Sequence, residues 1–272
     1  MSNEKPIGIF DSGFGGLTVA RAVMDLLPAE DIVYFGDTAR YPYGPKALNE
    51  VREFAFQIVE YLINEHDVKL LVVACNTAAA AALDELSAET SVPIIGVIAP
   101  GTQAAIDVSR TGQIGVIGTV GTINSGAYTR AFSTLSDGEI RPMTLACPGF
   151  VEFVEKGEAS GEQLEVLAER LLAPIVSANV DTLLLGCTHY PYLARVIGQV
   201  VGSDVVLVSS ADETAFEVSR QLTEMDLLLK DEKEGKRVFI SSGDVSWFAE
   251  VGERLFGPEL ASAKPHEWNP ST

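Results

Sequence analysis

Residues 183–191, Leu-Leu-Leu-Gly-Cys-Thr-His-Tyr-Pro, constrain the fold more than any other stretch of the chain. A short apolar run of this kind is typical of a strand buried in a parallel sheet, and this strand ends just before Cys187. Residues 70–77 repeat the pattern, with an apolar run that ends just before Cys75. Because open α/β sheets bind ligands at the carboxyl ends of their strands, both cysteines are candidate site residues.

Apolar runs alternate with segments of helical periodicity along most of the chain, which predicts βαβ units and parallel sheets. Residues 7–13 align with residues 114–120, and the two cysteine strands follow these starts at nearly the same distance. We therefore expect an α/β fold in which one unit occurs twice. Two such units facing each other would bring one cysteine from each wall to a shared cleft.

Two stretches depart from this alternation. Ala99, Pro100 and Gly101 interrupt the pattern after the strand expected at 94–98, and they are the candidate crossing point between the two units. The last dozen residues show no clear periodicity and are predicted to form a tail.

Charge and composition exclude several classes of protein. The chain has 272 residues and a formal net charge of −19, which argues against binding to nucleic acid or to anionic membranes. No apolar run approaches the roughly 20 residues of a membrane span. Three widely spaced cysteines without a Cys-x-x-Cys pair suit a reducing compartment, so a cytoplasmic protein is expected.

A pair of thiols on opposite walls of a cleft suits racemisation without a cofactor. Such a reaction removes a proton from one face of a carbon atom and returns one to the other face, which requires two bases. A thiol with a pKa of about 8.5 also needs a group that helps it to ionise. Asp11, at the end of the first strand, is the candidate for Cys75. In the second unit Gly118 stands in the position of Asp11, so His189 is the candidate for Cys187.

Each of these residues also has a structural interpretation. A single cysteine after an apolar run is usually a small core residue, and Cys147 is assigned to the core on that ground. Asp11 could cap the following helix, and His189 could be a buried histidine without a catalytic role. Two cysteines at equivalent places in a duplicated unit favour function.

Other functional patterns fit less well. Residues 13–16 with Asp37 imitate a dinucleotide fingerprint, but the glycine spacing differs and Asp11 would repel a pyrophosphate. Zinc bound by Cys75, Cys187 and His189 lacks the usual paired ligands at short spacing. A Cys–His hydrolase would leave the second thiol unexplained.

Four motifs give the chain a resemblance to the glutamate racemases, which make D-glutamate for peptidoglycan without a cofactor. They occur in the family's order and spread over most of the chain. The motifs are residues 11–19 (Asp-Ser-Gly-Phe-Gly-Gly-Leu-Thr-Val), 42–44 (Pro-Tyr-Gly), 74–78 (Ala-Cys-Asn-Thr-Ala) and 186–191 (Gly-Cys-Thr-His-Tyr-Pro).

The resemblance implies roles for individual residues. Cys75 would take the α-proton from D-glutamate and Cys187 from L-glutamate, assisted by Asp11 and His189. Neither a cofactor nor a metal is implied. The residues implied in substrate binding are Asp11, Ser12, Tyr43, Gly44, Asn76, Thr77, Thr188 and His189.

The family also carries an assisting glutamate after a Cys-Pro-x-Phe-Val segment. Here Cys147 opens that segment, and both Glu152 and Glu155 follow it. The spacing favours Glu155, while Glu152 stands where the family often has proline.

By the same resemblance the fold consists of two pseudo-symmetric, flavodoxin-like domains with the active site in the cleft between them. The expected domains are residues 1–98 with 208–272, and residues 99–207, the C-terminal segment returning to the first domain. A homodimer is expected, and activation by a cell-wall precursor is not. Two alternatives remain open: a racemase of aspartate or another small acidic amino acid, and a protein that binds an amino acid without catalysis.

Overall fold

The chain forms two parallel β-sheets with helices packed against them. The computed structural model describes residues 4–230, 233–260 and 262–268. Within these ranges the strands are β1 (Ile7–Asp11), β2 (Ile32–Gly36), β3 (Leu70–Val73), β4 (Ile94–Gly96), β5 (Ile114–Gly118), β6 (Met143–Ala146), β7 (Thr182–Gly186), β8 (Val206–Ser209), β9 (Arg237–Ser241) and β10 (Lys264–Pro265). The α-helices are α1 (Leu17–Leu26), α2 (Leu48–His66), α3 (Asn76–Glu89), α4 (Ile98–Val108), α5 (Val120–Asn124), α6 (Ala127–Leu135), α7 (Phe150–Lys156), α8 (Glu162–Ser177), α9 (Ala194–Val201), α10 (Ser210–Glu224) and α11 (Val245–Phe256).

Four neighbouring strands of the first sheet have the same topology as the whole second sheet. The first has the order β10–β9–β2–β1–β3–β4, and the second has the order β6–β5–β7–β8. All neighbouring strands are parallel. The order β2–β1–β3–β4 corresponds strand for strand to β6–β5–β7–β8, which confirms the predicted α/β fold with a repeated unit. Strands β3 and β7, which precede Cys75 and Cys187, are equivalent in the two units.

The central strands are buried on both faces, as their continuous apolar runs predict. All residues of β1, β3 and β7 are buried. One hydrophobic core contains residues of both sheets, and a smaller core contains residues of the second sheet and its helices. Strands buried on both sides need helices on both faces of the sheet, which the alternating order of elements supplies. Among the described helices, none combines the length and the apolar character that crossing a membrane requires.

The end of the chain contributes to the first sheet. Strands β9 and β10 extend that sheet beyond β2, so its strands come from residues 7–96 and 237–265, whereas those of the second sheet come from residues 114–209. Strand β8 spans the predicted boundary between residues 207 and 208. The domain boundaries themselves stay a prediction.

The prediction that residues 99–101 interrupt the pattern is wrong, because they lie in the first turn of α4. Pro100 is tolerated there because the first backbone N–H groups of a helix have no acceptor within it. At Gly101 a Cβ atom would lie 2.8 Å from the Cβ of Ser210, so glycine allows α4 to pack closely against α10.

The predicted C-terminal tail is wrong for the described residues 262–268. Lys264 and Pro265 pair with Ile240 and Ser241 as β10. The ring of Trp268 packs against Phe35, with ring centroids 5.6 Å apart. Residues 261 and 269–272, which the same prediction included, lie outside the described residues. A strand of two residues leaves no periodicity that sequence reasoning could detect.

Candidate active site

A cavity of about 110 Å³ lies where the carboxyl ends of the two sheets meet. One wall carries residues that follow β1 and β3, and the other carries residues that follow β5 and β7. All predicted site residues except Glu155 line this cavity: Asp11, Ser12, Tyr43, Gly44, Cys75, Asn76, Thr77, Cys187, Thr188 and His189.

Cys75 belongs to the first wall and occupies the N-cap position of α3, without a capping hydrogen bond from its side chain. The residue is 5% exposed, and its Sγ donates to Ser12 Oγ at 3.8 Å. Burial, together with the charge of the Asp11 carboxylate, raises the pKa of Cys75 well above its ordinary value. Cys75 is therefore a protonated thiol at neutral pH and is ready to donate.

Asp11 ends β1 and lies beside Cys75. Its Oδ2 accepts the backbone N–H of Gly13 at 3.1 Å. Burial raises the pKa of Asp11, while the charge of His189 and hydrogen bonds from Gly16, Gly13 and Cys75 oppose this shift. Among the described residues, none hydrogen-bonds Oδ1. Asp11 thus offers the cavity one acceptor atom.

Cys187 belongs to the second wall and forms a relay with two other residues. Its Sγ lies 3.9 Å from His189 Nδ1, and His189 Nε2 lies 2.9 Å from Glu155 Oε1. Burial lowers the pKa of His189, but hydrogen bonds and charges of Cys187 and Glu155 outweigh burial and raise it to about 10. His189 is therefore an imidazolium at neutral pH, and its ring faces the Cys187 sulfur.

Replacement of Glu155 by glutamine is expected to lower the pKa of His189, because the neutral amide no longer stabilises the imidazolium. The pKa can be read from the pH dependence of histidine ¹⁵N chemical shifts. A raised pKa contributes to the free energy of unfolding fully below the unfolded-state value of about 6.5, and the contribution is lost as the pH rises through 10. The E155Q variant should therefore be less stable than the native chain at pH 6 and differ less from it at pH 10. An unchanged His189 pKa would contradict the relay.

The structure distinguishes Glu155 from Glu152 by position. Both belong to α7, but Glu152 is exposed and lies nearly one turn before Glu155. The carboxylate of Glu155 contacts His189, and its charge adds to burial in raising the pKa of Tyr41. Glu152 lines the cavity rim. The motif spacing favours Glu155, and of the two carboxylates Glu155 is the one that contacts His189.

Several hydroxyl groups of the site were missed by sequence reasoning. The side-chain amide of Asn76 donates to Tyr128 Oη at 2.7 Å. The hydroxyl of Thr77 lies 3.0 Å from that of Thr119 and 3.1 Å from that of Thr122. These contacts join the start of α3 to the second unit. Asn76 Oδ1 is buried and has no hydrogen-bond partner among the described residues, so it is a second acceptor available to the cavity.

Glycines at the cleft allow its two walls to approach each other. A Cβ atom on Gly15 would lie 2.4 Å from both His189 Nδ1 and Thr188 Oγ1. The carbonyl of Gly44 accepts the N–H of Gly121 at 2.9 Å across the cleft. The glycine turn that imitated a dinucleotide fingerprint therefore serves contact between the two units.

Cys147, which the sequence analysis assigned to the core, is 1% exposed and packs in the second hydrophobic core. Burial and the nearby Cys187 raise its pKa to about 12, so it stays a thiol at neutral pH. It also contributes to the cavity lining. Among the described residues, no group of three or more His, Cys, Asp or Glu side chains is arranged to hold a metal ion.

A two-unit α/β fold with a thiol on each wall of one cleft suits an amino-acid racemase, and comparison with known proteins agrees with this class. The chain belongs to the Asp/Glu/hydantoin racemase family, whose model matches residues 17–217.

The similar proteins narrow the class further. The chain is 48% identical to a glutamate racemase of Corynebacterium diphtheriae, over 96% of this chain and 98% of that protein. It matches the crystal structure of a glutamate racemase isoform from Bacillus anthracis with a TM-score of 0.91 and 42% identity, covering 98% of each chain. It also matches a glutamate racemase from Francisella tularensis in complex with D-glutamate, with a TM-score of 0.90 and 34% identity, over 99% of this chain and 100% of that one.

Proposed function

We propose that the chain is a glutamate racemase that interconverts L- and D-glutamate without a cofactor. The observation that carries the proposal is the pair of thiols, Cys75 and Cys187, which extend from equivalent strands on opposite walls of one cavity. The high identity to glutamate racemases and the D-glutamate complex of the Francisella relative support the choice of substrate.

The protonation states of the site suit conversion of L- to D-glutamate. Cys187, with the His189 ring beside its sulfur, removes the α-proton of L-glutamate. Cys75, a thiol, then donates its proton to the opposite face of the planar carbanion. In the reverse direction Asp11 accepts the proton of the Cys75 thiol, the resulting thiolate removes the α-proton of D-glutamate, and Cys187 donates a proton to the opposite face with His189 as its proton source.

The polar groups of the cavity suit a zwitterionic, dicarboxylic amino acid. The two acceptors without partners, Asp11 Oδ1 and Asn76 Oδ1, match an α-ammonium group. The N-terminus of α3 and the backbone N–H groups of the strand–helix turns match carboxylates. Hydrogen bonds to the α-carboxylate would also stabilise the carbanion. In addition to Asp11 and Asn76, the proposed substrate-binding residues are Ser12, Tyr43, Gly44, Thr77, Thr188 and His189.

Exchange of the α-proton in D₂O tests this function. We expect the α-proton signal of L-glutamate in the ¹H NMR spectrum to disappear on incubation with the protein, while D-glutamate accumulates to equal amounts. A protein that only binds glutamate would leave the α-proton and the configuration unchanged, which would refute the proposal.

The same experiment after exhaustive treatment with EDTA tests independence from a cofactor. The two thiols already provide both proton transfers, so exchange is expected at an undiminished rate, with no absorbance beyond the protein band. Loss of exchange on chelation and recovery on addition of zinc would contradict the two-thiol mechanism.

The substrate preference is expected to favour glutamate over aspartate and glutamine. Aspartate is one methylene shorter and cannot place both carboxylates on donors that fit glutamate. The side-chain amide of glutamine presents N–H donors to the donor groups that would hold the side-chain carboxylate of glutamate. We expect kcat/KM for glutamate to exceed that for either analogue by at least ~10²-fold. Comparable values for aspartate would instead indicate a racemase of small acidic amino acids.

The proposed role is the supply of D-glutamate for peptidoglycan synthesis by a cytoplasmic homodimer. Membership in the family supports this role. The three described cysteines are free thiols, which suits a reducing compartment. Light scattering coupled to size-exclusion chromatography tests the dimer, and a mass of one chain would exclude it.

A further inference from the structure

Asp37 is a fully buried carboxylate that contacts neither Cys75 and Asp11 nor Cys187 and His189 through a side-chain hydrogen bond. Its Oδ2 accepts hydrogen bonds from Arg40 Nε at 2.7 Å and from Tyr43 Oη. Its Oδ1 accepts hydrogen bonds from Ser242 Oγ at 2.6 Å and from Trp268 Nε1 at 2.9 Å. A buried charge is stable only when it is paired and its acceptor sites are filled. These four donors fill both oxygen atoms of Asp37.

The four donors come from two distant parts of the chain. Arg40 and Tyr43 belong to residues 40–45, which we call the substrate loop because it contains Tyr43 and Gly44 of the proposed site. Ser242 follows β9, and Trp268 follows β10. Asp37 therefore connects the substrate loop to the C-terminal part of the first sheet.

The ring of Trp268 makes a second contact with the substrate loop. The guanidinium carbon of Arg40 lies 3.8 Å from the centroid of the Trp268 ring and 4.1 Å from that of Phe54. Arg40 is thus held between two aromatic rings, an arrangement that a planar guanidinium favours. Removal of Trp268 would take away one of these rings and one donor to Asp37.

The C-terminal segment holds Trp268 in place through the sheet. Lys264 and Pro265 pair with β9, and His266 donates its N–H to the Ser241 carbonyl at 2.8 Å. The His266 and Trp268 rings pack edge to face, with centroids 4.5 Å apart. The position of Trp268 is therefore set by backbone pairing and not only by its own contacts.

We propose that Trp268 is a positioning residue for substrate binding: with Asp37, it holds the substrate loop in the conformation that places Tyr43 and Gly44 at the cavity. The inference rests on the proposed function, because it assumes that the cavity binds glutamate. Gly44 transmits the effect, since its carbonyl accepts the Gly121 N–H across the cleft. Cys75, Cys187, Asp11 and His189 lie outside the substrate loop, so we expect the larger effect on binding and the smaller one on proton transfer.

Replacement of Trp268 by alanine tests the proposal, with E267A as a matched control in the same segment, where the side chain is exposed. In W268A we expect KM to rise by roughly 10-fold for both enantiomers, with kcat within about 3-fold, because a loss of binding common to ground and transition states raises KM alone. W268F keeps a ring over Arg40 but loses the N–H donor to Asp37, so its KM should rise less than that of W268A. A purely structural role would lower the active fraction, and hence kcat, without changing KM.

Hydrogen exchange of the ligand-free protein gives a readout that does not depend on racemisation. The Gly121 N–H donates to Gly44, and the Lys46 N–H donates to the Tyr43 carbonyl at 3.0 Å. Both amides should exchange faster in W268A than in E267A. If W268A does not fold, W268F provides the comparison, since its ring preserves most of the packing.

The outcomes separate this proposal from the proposed function. Native-like KM and native-like exchange in W268A, or in W268F where only that variant folds, would overturn the positioning role. Absence of racemisation by the native chain, together with faster exchange in the variant, would refute the function but retain the role of Trp268 in holding the loop.

Discussion

Replacement of either Cys75 or Cys187 by serine is expected to reduce racemisation in both directions by at least ~10³-fold. Each thiol is the base in one direction and the acid in the other, so neither direction can proceed without both. Serine is nearly isosteric with cysteine, but its hydroxyl is far less acidic. The fold and the cavity should therefore remain while the proton transfer is lost. The rate is measured by circular dichroism of glutamate, starting from each enantiomer.

Cys147 provides the matched control. It is buried and lines the same cavity, but burial keeps it a thiol and no acid/base role is assigned to it. C147S should retain racemisation within a few-fold of the native rate. Equal losses of racemisation rate in C147S and C187S would show that serine lowers the rate by disturbing the packing of the cavity. A C75S variant with near-native activity would show that Cys75 is not part of the mechanism.

Replacement of Gly15 by alanine is expected to reduce kcat/KM by roughly 10²-fold or more, although the residue takes no part in the chemistry. The added methyl group would lie 2.4 Å from both His189 Nδ1 and Thr188 Oγ1, so these side chains or the turn must move. Displacement of His189 separates the imidazolium from Cys187. The φ angle of Gly15 lies outside the left-handed region, so crowding and not backbone strain causes the loss.

Gly198 serves as the control for this substitution. It lies within α9, and a Cβ atom there would meet its nearest neighbour, Leu207 Cδ1, at 3.6 Å, an ordinary contact. G198A should therefore keep its activity and be as stable as the native chain or slightly more stable, because alanine favours helices. Native activity in G15A would mean that the two walls stand further apart than the structure shows.

The fold was largely predictable because its signals are local. Each central strand is a continuous apolar run, and each run ends at a turn of small or polar residues. Helix α4 was missed because Pro100 and Gly101 usually end helices, whereas here one lies in the first turn and the other makes room for α10. Strand β10 was missed because it gains its stability from β9 and not from its own sequence.

The site residues also fall into a group with local sequence signals and a group that only tertiary contacts bring together. The residues that follow β1, β3 and β7 lie in short motifs, so their presence at the cavity could be inferred from order alone. Thr119 lines the cavity from outside the four motifs, and Tyr128 and Thr122 contact residues of its lining. Only tertiary packing brings these three side chains to Asn76 and Thr77. The choice between the two glutamates of α7 likewise required a distance.

The central claim is that each thiol serves one face of the α-carbon. A glutamate analogue with a leaving group on its β-carbon tests it, because removal of the α-proton expels that group without a second proton transfer. C187S, which keeps Cys75, should eliminate from the D-analogue and not from the L-analogue, whereas C75S, which keeps Cys187, should show the opposite preference. The keto acid released after hydrolysis of the enamine product is measured for each variant and each enantiomer. Comparable elimination from both enantiomers by a single variant would mean that one base reaches both faces, and the two-thiol account would then be wrong.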